Sequence, residues 1–257
     1  MKGDGNPKSK AERLVIGLSG ASGVAIGIRA LEALSELGIE SHLVMTKPAE
    51  MTIGYETLLT PKQVAAKADH RYAIGDIGAP IASGSFKTKG MLVAPCSVRT
   101  MSEIATGVTT SLLTRAADVM LKERRPLVLM VREAPLHLGH LRSMTALAEM
   151  GAILLPPVPA FYAEPHSLGE MVDQMVGRAL DLFGYDWPDV KRWGEELTKG
   201  RRKPSSPSAR SAATGEVPVA SLAMRRVRLA AKPTERQAPK GAKAGSEGAK
   251  SRRKKKQ

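Results

Sequence analysis

The chain is predicted to fold as a doubly wound α/β domain, a mostly parallel sheet with helices on both faces. Three observations lead there. Its apolar runs are short and continuous, the pattern of strands buried on both faces. Segments of helical period separate those runs. A glycine turn, GASG at 20–23, follows the first run directly, where such sheets place a ligand.

Taken in order, LVIGLS (14–19) is the first strand and VAIGIRALEALSEL (24–37) an amphipathic helix. SHLVMT (41–46) is a second strand, and PAEMTIGYET (48–57) begins a helix at proline, whose fixed φ suits the first turn. GMLVAPCS (90–97) is a buried strand, and SLLTRAADVMLKERR (111–125) has helical period. PLVLMV (126–131) is strongly apolar and too short for a helix, so it reads as a strand. HLGHLRSMTALAEMG (137–151) is a helix with a glycine stop, AILLPPV (152–158) a short strand, and SLGEMVDQMVGRALDLFG (167–184) a last helix.

Charge divides the chain. Of 39 Lys and Arg and 25 Asp and Glu, residues 200–257 hold 17 and 3, which leaves 22 of each sign for residues 1–199. The whole excess of +14 lies in this tail, which is rich in Pro, Ser, Ala and Gly and has no aromatic residue. Such a segment buries too little apolar surface to offset its conformational entropy, so disorder is expected. The expected organisation is a disordered N-terminus over 1–12, one domain over 13–199, and a basic disordered tail over 200–257. A tail of this kind binds polyanions non-specifically, if at all, because no groove-reading motif accompanies the charge. The single cysteine excludes an intrachain disulfide framework and fits a reducing, cytoplasmic setting. The first apolar run is too short for a signal peptide, and no stretch reaches the ~20 apolar residues of a membrane span.

Ligands of such a sheet sit beyond the carboxyl ends of its strands. After the first strand come Gly20, Ala21, Ser22 and Gly23; after the second, Thr46 and Lys47; after GMLVA, the run Pro95-Cys96-Ser97-Val98-Arg99-Thr100. Arg132 and Glu133 follow PLVLMV, and Phe161 and Tyr162 follow AILLPP. The glycine turn is neither a triphosphate loop, lacking Gly-Lys-Ser/Thr, nor the dinucleotide fingerprint, its glycines being spaced three and three. Small hydroxyls and helix N-termini suit a phosphate-bearing cofactor. Arg115, Lys122, Arg132 and Arg178, with Tyr162, supply cationic and phenolic donors for a second phosphate.

GLSGASGV, APCS, RAADVMLKERRPLVLMVREAPLH and PPVPAFYAEPHSL resemble the UbiX-like flavin prenyltransferases, relatives in fold of the flavin-dependent cysteine decarboxylases. The resemblance runs from about residue 13 to RWGEE at 192–196. It implies a Rossmann-like fold, reduced FMN as prenyl acceptor, dimethylallyl monophosphate as donor, and no metal. It implies a prenylated FMN product, a UbiD-type decarboxylase as its recipient, and a homo-oligomer, typically a dodecamer. Gly20, Ala21, Ser22, Thr46, Ser97, Val98, Arg99, Thr100 and Arg132 match the flavin segments. Lys122, Arg132, Tyr162 and Arg178 match a prenyl-phosphate pocket, with Glu133, which the family assembles between neighbouring subunits. Ser22, Glu56, Arg115 and Glu133 form the implied catalytic set, and Trp193 a late aromatic on the pocket wall. Asp76-Ile77-Gly78 stands where some members carry an aromatic residue.

The chemistry fits these groups. Ionising an allylic phosphate puts negative charge on the leaving group, which fixed Lys and Arg donors stabilise. Positive charge on the five-carbon fragment is met by electron-rich faces. A flavin-dependent decarboxylase of a cysteine-containing substrate is the alternative, although its usual Asn-bearing segment is replaced here by APCSVRT; a polyanion-binding protein acting through its tail is another. Cys96 reads as a small buried residue, not a nucleophile. His137 and His140 read as surface or helix-start packing in the absence of a carboxylate or thiol partner. Arg124 and Arg125 read as a solvated helix end, and Trp193 has the ordinary alternative of anchoring the last helix.

Overall fold

The computed structural model describes residues 12–188 and 190–194. The tail expected over 200–257 and nearly all of the N-terminal segment lie outside the described residues. Six parallel strands form one sheet in the order β3-β2-β1-β4-β5-β6. They are β1 (Arg13–Leu18), β2 (Glu40–Met45), β3 (His70–Tyr72), β4 (Gly90–Cys96), β5 (Leu127–Val131) and β6 (Ile153–Leu154). The order turns back between β1 and β4. That is the switch point, where loops from neighbouring strands diverge to opposite faces and leave a crevice.

Helices α1 (Val24–Glu36) and α7 (Leu168–Asp181) pack on one face, over a core that includes Ile16, Leu43, Leu92 and Trp187. Helices α4 (Val98–Ala105), α5 (Leu112–Lys122) and α6 (Leu138–Glu149) cover the other, around Val93, Met101, Leu113 and Leu129. Each fully buried leucine or isoleucine contributes roughly 1.5–3 kcal/mol through removal of its side chain from water. Burial on both faces explains why the strands read as unbroken apolar runs.

Three elements depart from the sequence reading. The segment 98–105, for which no element is predicted above, is helical. Its apolar residues Met101 and Ile104 face the core while Arg99 stays in solvent. The short α3 (Pro61–Ala65) is set by a reciprocal cap between Thr60 and Gln63. The edge strand β3 is only three residues long and polar, so it carries little periodic signal. α2 runs Lys47–Glu56 with Pro48 in its first turn, as expected. α5 stops at Lys122, after which Arg124 turns left-handed with φ 52°. Arg125 corrects its expected role as a solvated helix end: it is partly buried and donates to the carbonyls of Phe86 and Gly84 at 2.7 and 2.6 Å.

Candidate active site

The site grows from two contacts between the strands at the switch point. Ser19, fully buried at the end of β1, donates its hydroxyl to the Pro95 carbonyl at 3.0 Å and accepts from the Ser97 N–H at 2.7 Å. It ties the first loop to the third. Pro95 has no N–H, so the β4–β5 ladder shifts register between Val93 and Cys96. Beyond the shift, Arg132 donates its backbone N–H to the Cys96 carbonyl at 3.1 Å, which brings Arg132 out beside Ser97.

Around this point lies a cleft of about 440 Å³. Six of the nine residues expected to bind flavin line it: Gly20, Thr46, Ser97, Val98, Arg99 and Thr100. Ala21, Ser22 and Arg132 are not part of its wall. A side chain at Gly20 would bring its Cβ to 2.2 Å from the Cβ of Pro48, so only glycine allows α2 to start this close to the first loop. Three helix N-termini meet here. Thr46 caps α2, Ser97 caps α4 and Ser111 caps α5, and each hydroxyl accepts a backbone N–H of its own first turn. Converging helix N-termini, hydroxyls and Arg99 suit a phosphate-bearing ligand. The donor set therefore fits FMN.

The first loop makes a second use of its N–H groups. Gly23, left-handed at φ 98°, begins α1, and the Glu56 carboxylate accepts from Gly23 and Val24 at 2.9 and 3.1 Å. A carboxylate of the chain itself thus occupies this helix N-terminus.

Beyond β5 and β6 lies a second pocket of about 280 Å³, which brings together Tyr162 and Arg178 with Met130, Leu155 and Met175. Trp193, expected on the pocket wall, is not among its lining residues but stands edge-on to Tyr162, ring centroids 5.3 Å apart. Arg178 pairs with Asp181; burial works against the Asp181 carboxylate, but bonds from Arg192 and Arg178 outweigh it and hold its pKa below the usual value. Glu133 accepts the Ala134 N–H at 2.9 Å. Arg115 donates to the Ala82 carbonyl and pairs with Asp118 at 2.7 Å. Lys122 pairs with Glu123 at 2.6 Å.

One chain does not gather the whole expected phosphate set. Lys122 ends α5 at the amino end of β5, whereas Tyr162 lies beyond the carboxyl end of the sheet. Among the described residues, Arg115, Lys122 and Arg178 each have a carboxylate partner, and Arg132 has none. Lys47, expected after the second strand, also lines the cleft, whereas sequence reasoning passed over Ser19, Ile74, Glu103, Thr110 and Ser111. The Ser-x-x-Thr spacing of Ser111 and Thr114 was the one available signal, since it closes a reciprocal cap.

The bland readings hold elsewhere. Cys96 is fully buried, and burial pushes its thiol up to about 12. His137 caps α6, its Nδ1 accepting from the Gly139 N–H, with the His140 ring stacked on it at 3.6 Å.

The family model described as Flavoprotein matches residues 4–179. The flavin prenyltransferase UbiX of Neisseria meningitidis serogroup B is 55% identical over 181 residues, 70% of this chain and 96% of that protein. The chain belongs to the UbiX flavin prenyltransferase family. Among solved members, AnUbiX (PadA1), in complex with FMN and dimethylallyl pyrophosphate, is 49% identical with a TM-score of 0.71, over 72% of this chain and 98% of its own. A dodecameric FMN-dependent UbiX-like decarboxylase from Escherichia coli O157:H7 is 46% identical with a TM-score of 0.69, over 70% of this chain and 98% of that one. The Flavoprotein model ends at residue 179, short of the basic tail. Among the described residues, no helix is long and apolar enough to cross a membrane.

Proposed function

We propose that the chain transfers a dimethylallyl group from dimethylallyl monophosphate to N5 and C6 of reduced FMN, as a metal-independent prenyltransferase whose product serves a UbiD-type decarboxylase. The observation that carries this reading is the pairing of two sites on one edge of the sheet. A cleft of capped helix N-termini lies next to a pocket lined by Tyr162 and Arg178, and Arg132 follows the strand between them. Two adjacent sites suited to phosphates are what a flavin mononucleotide and a prenyl phosphate require.

Reduced FMN supplies the electron-rich acceptor when bound. Gly20, Thr46 and the 97–100 segment, which line the cleft, would hold and orient it, joined by Ala21 and Ser22 from the loop after β1 and by Arg132 from the loop after β5. Arg132, Arg178 and Tyr162 stabilise the charge that develops on the leaving phosphate, where preorganised donors contribute most. Lys122 joins them from a neighbouring subunit, because its own protomer holds it at the far end of β5. Arg115 and Glu133 orient groups at the reacting centre. Glu56 and Ser22 are the acid–base groups nearest the first loop, and Trp193 supports Tyr162 of the pocket wall. This sharing of sites supports a homo-oligomer, a dodecamer by analogy with the Escherichia coli relative.

We assign the activity to residues 13–199 and treat 200–257 as an extension whose excess positive charge suits non-specific polyanion binding. The single, buried thiol supports a reducing, cytoplasmic location. The test is anaerobic incubation of the full chain with reduced FMN and dimethylallyl monophosphate, with the pyrophosphate in parallel, read by mass spectrometry of the released flavin. Gain of one five-carbon unit is expected. Flavin that stays bound and unchanged with both donors overturns the reading. A chain cut after Lys199 retains the activity, and any binding to heparin or nucleic acid is lost with the tail.

A further inference from the structure

Away from the cleft, at the opposite end of the strands, three metal-ligating side chains converge. The strand period of two places Glu40 and His42 on the same face of β2. Parallel register then sets His70 of β3 directly beside His42. The result is that Nε2 of His42 and Nε2 of His70 both lie 3.0 Å from the same oxygen, Oε1 of Glu40. All three donor atoms fall within 4.8 Å of one another. Around an ion bound at about 2.0–2.1 Å, tetrahedral donors stand roughly 3.3 Å apart, so small side-chain rotations suffice.

The geometry points to a binding site for a divalent first-row transition ion of the zinc class, held by Glu40, His42 and His70. Each buried donor is already oriented by a neighbour. Nδ1 of His42 is 2.9 Å from the Tyr72 hydroxyl, which turns Nε2 towards Glu40. Arg13 donates to the other oxygen of Glu40, at 3.1 Å, leaving Oε1 for the ion. Such outer contacts are what fix ligand orientation in metal centres. His42 is 2% exposed, while the His70 side chain is 51% exposed, so an ion enters from the His70 side and keeps water as its fourth ligand. Two imidazoles and one carboxylate favour zinc, cobalt or nickel over magnesium or calcium, which take oxygen ligands.

His42 and His70 each lie four residues, about 13 Å of strand, from the cleft-lining Thr46 and Ile74. The ion is therefore structural: it cross-links the three-residue edge strand β3 to β2 and takes no part in prenyl transfer.

The test is a titration of the chelator-stripped, full-length protein with Co(II), followed by visible absorption and by displacement with zinc. The chain has five histidines, all among the described residues, so assignment by substitution is complete. One cobalt per chain is expected, abolished in His70→Ala and Glu40→Gln and retained in His137→Ala. Zinc raises the thermal midpoint of the parent protein and leaves that of His70→Ala unchanged. His70 is exposed, so circular dichroism of that variant separates loss of a ligand from loss of fold. Absence of saturable cobalt binding, or binding that survives His70→Ala, overturns the site.

Discussion

The Glu56 carboxylate, at the end of α2, accepts the backbone N–H groups of both Gly23 and Val24, at 2.9 and 3.1 Å. It satisfies two of the orphan donors of α1 and places a negative charge at the positive end of that helix. The same group is the proposed acid–base residue, so structure and chemistry can be separated by substitution. Glu56→Gln keeps an acceptor oxygen and is expected to cost about 0.5 kcal/mol of stability, whereas Glu56→Ala costs about 1 kcal/mol. Both lower the prenyl-transfer rate, by about 10²-fold or more. Chemical denaturation set beside single-turnover kinetics checks this. Full activity in Glu56→Gln would remove the residue from the proton path.

Arg132 differs from the other expected phosphate cations in having no carboxylate partner among the described residues. Its charge is available to substrate without breaking an internal pair. Arg132→Ala is therefore expected to lower kcat/KM by about 10²–10³-fold, the usual loss of one transition-state donor. Arg178→Ala is expected to cost less, since Arg178 shares its charge with Asp181. Steady-state kinetics with varied dimethylallyl monophosphate ranks the two.

Lys122 and Tyr162 stand at opposite ends of β5 in one chain. If neighbouring subunits complete the pocket, Lys122→Ala and Tyr162→Phe preparations, each nearly inactive, regain activity after dissociation and mixed reassembly. Sites that draw each residue from an unmodified subunit account for the gain. Mixtures no more active than the sum of the parents would confine each pocket to one chain.

Gly20→Ala tests the approach of α2 to the first loop. The added Cβ meets Pro48 at 2.2 Å, and Pro48 is fixed within the first turn of α2. Overpacking of this kind costs about 1–3 kcal/mol, and the displaced loop is expected to lose FMN. Flavin fluorescence quenching on binding, with a thermal melt as companion, reports both.

Burial pushes the Cys96 thiol up to about 12, so it stays protonated in the folded chain while an unfolded thiol ionises near 9. The sign follows: the contribution is complete below pH 9 and is lost as pH rises towards 12. Native protein at pH 8 is expected to resist alkylation and react fully once denatured. Cys96→Ala is expected to retain activity and to lose stability less steeply between pH 9 and 11. Rapid native labelling would show that the β4 end opens.

How much of this was legible beforehand depends on the kind of signal each residue carries. β1, β2, β4 and β5 could be read because each is an apolar run buried on both faces, and that burial is itself the cause of the pattern. β3 could not: its residues His70, Arg71 and Tyr72 are polar because it lies at the sheet edge. The α4 helix was missed because only Met101 and Ile104 mark its buried stripe over two turns. At the site, Gly20, Thr46 and Ser97 were visible as polar or small residues directly after apolar runs. Ser19 was not assigned, because its role is a pair of bonds to residues 76 and 78 positions away.

The sequence by itself determined every strand but β3, the loops that follow them and the family, since each rests on local pattern or on long identical segments. Tertiary structure alone decided which groups meet. It set Glu56 on the N-terminus of α1, parted Lys122 from Tyr162, and joined Glu40, His42 and His70 across the register of two strands. The physical reason is that composition and period report how a residue meets water. Partnership between distant residues is fixed only when the order and register of the strands are chosen, and those follow from packing the whole sheet at once.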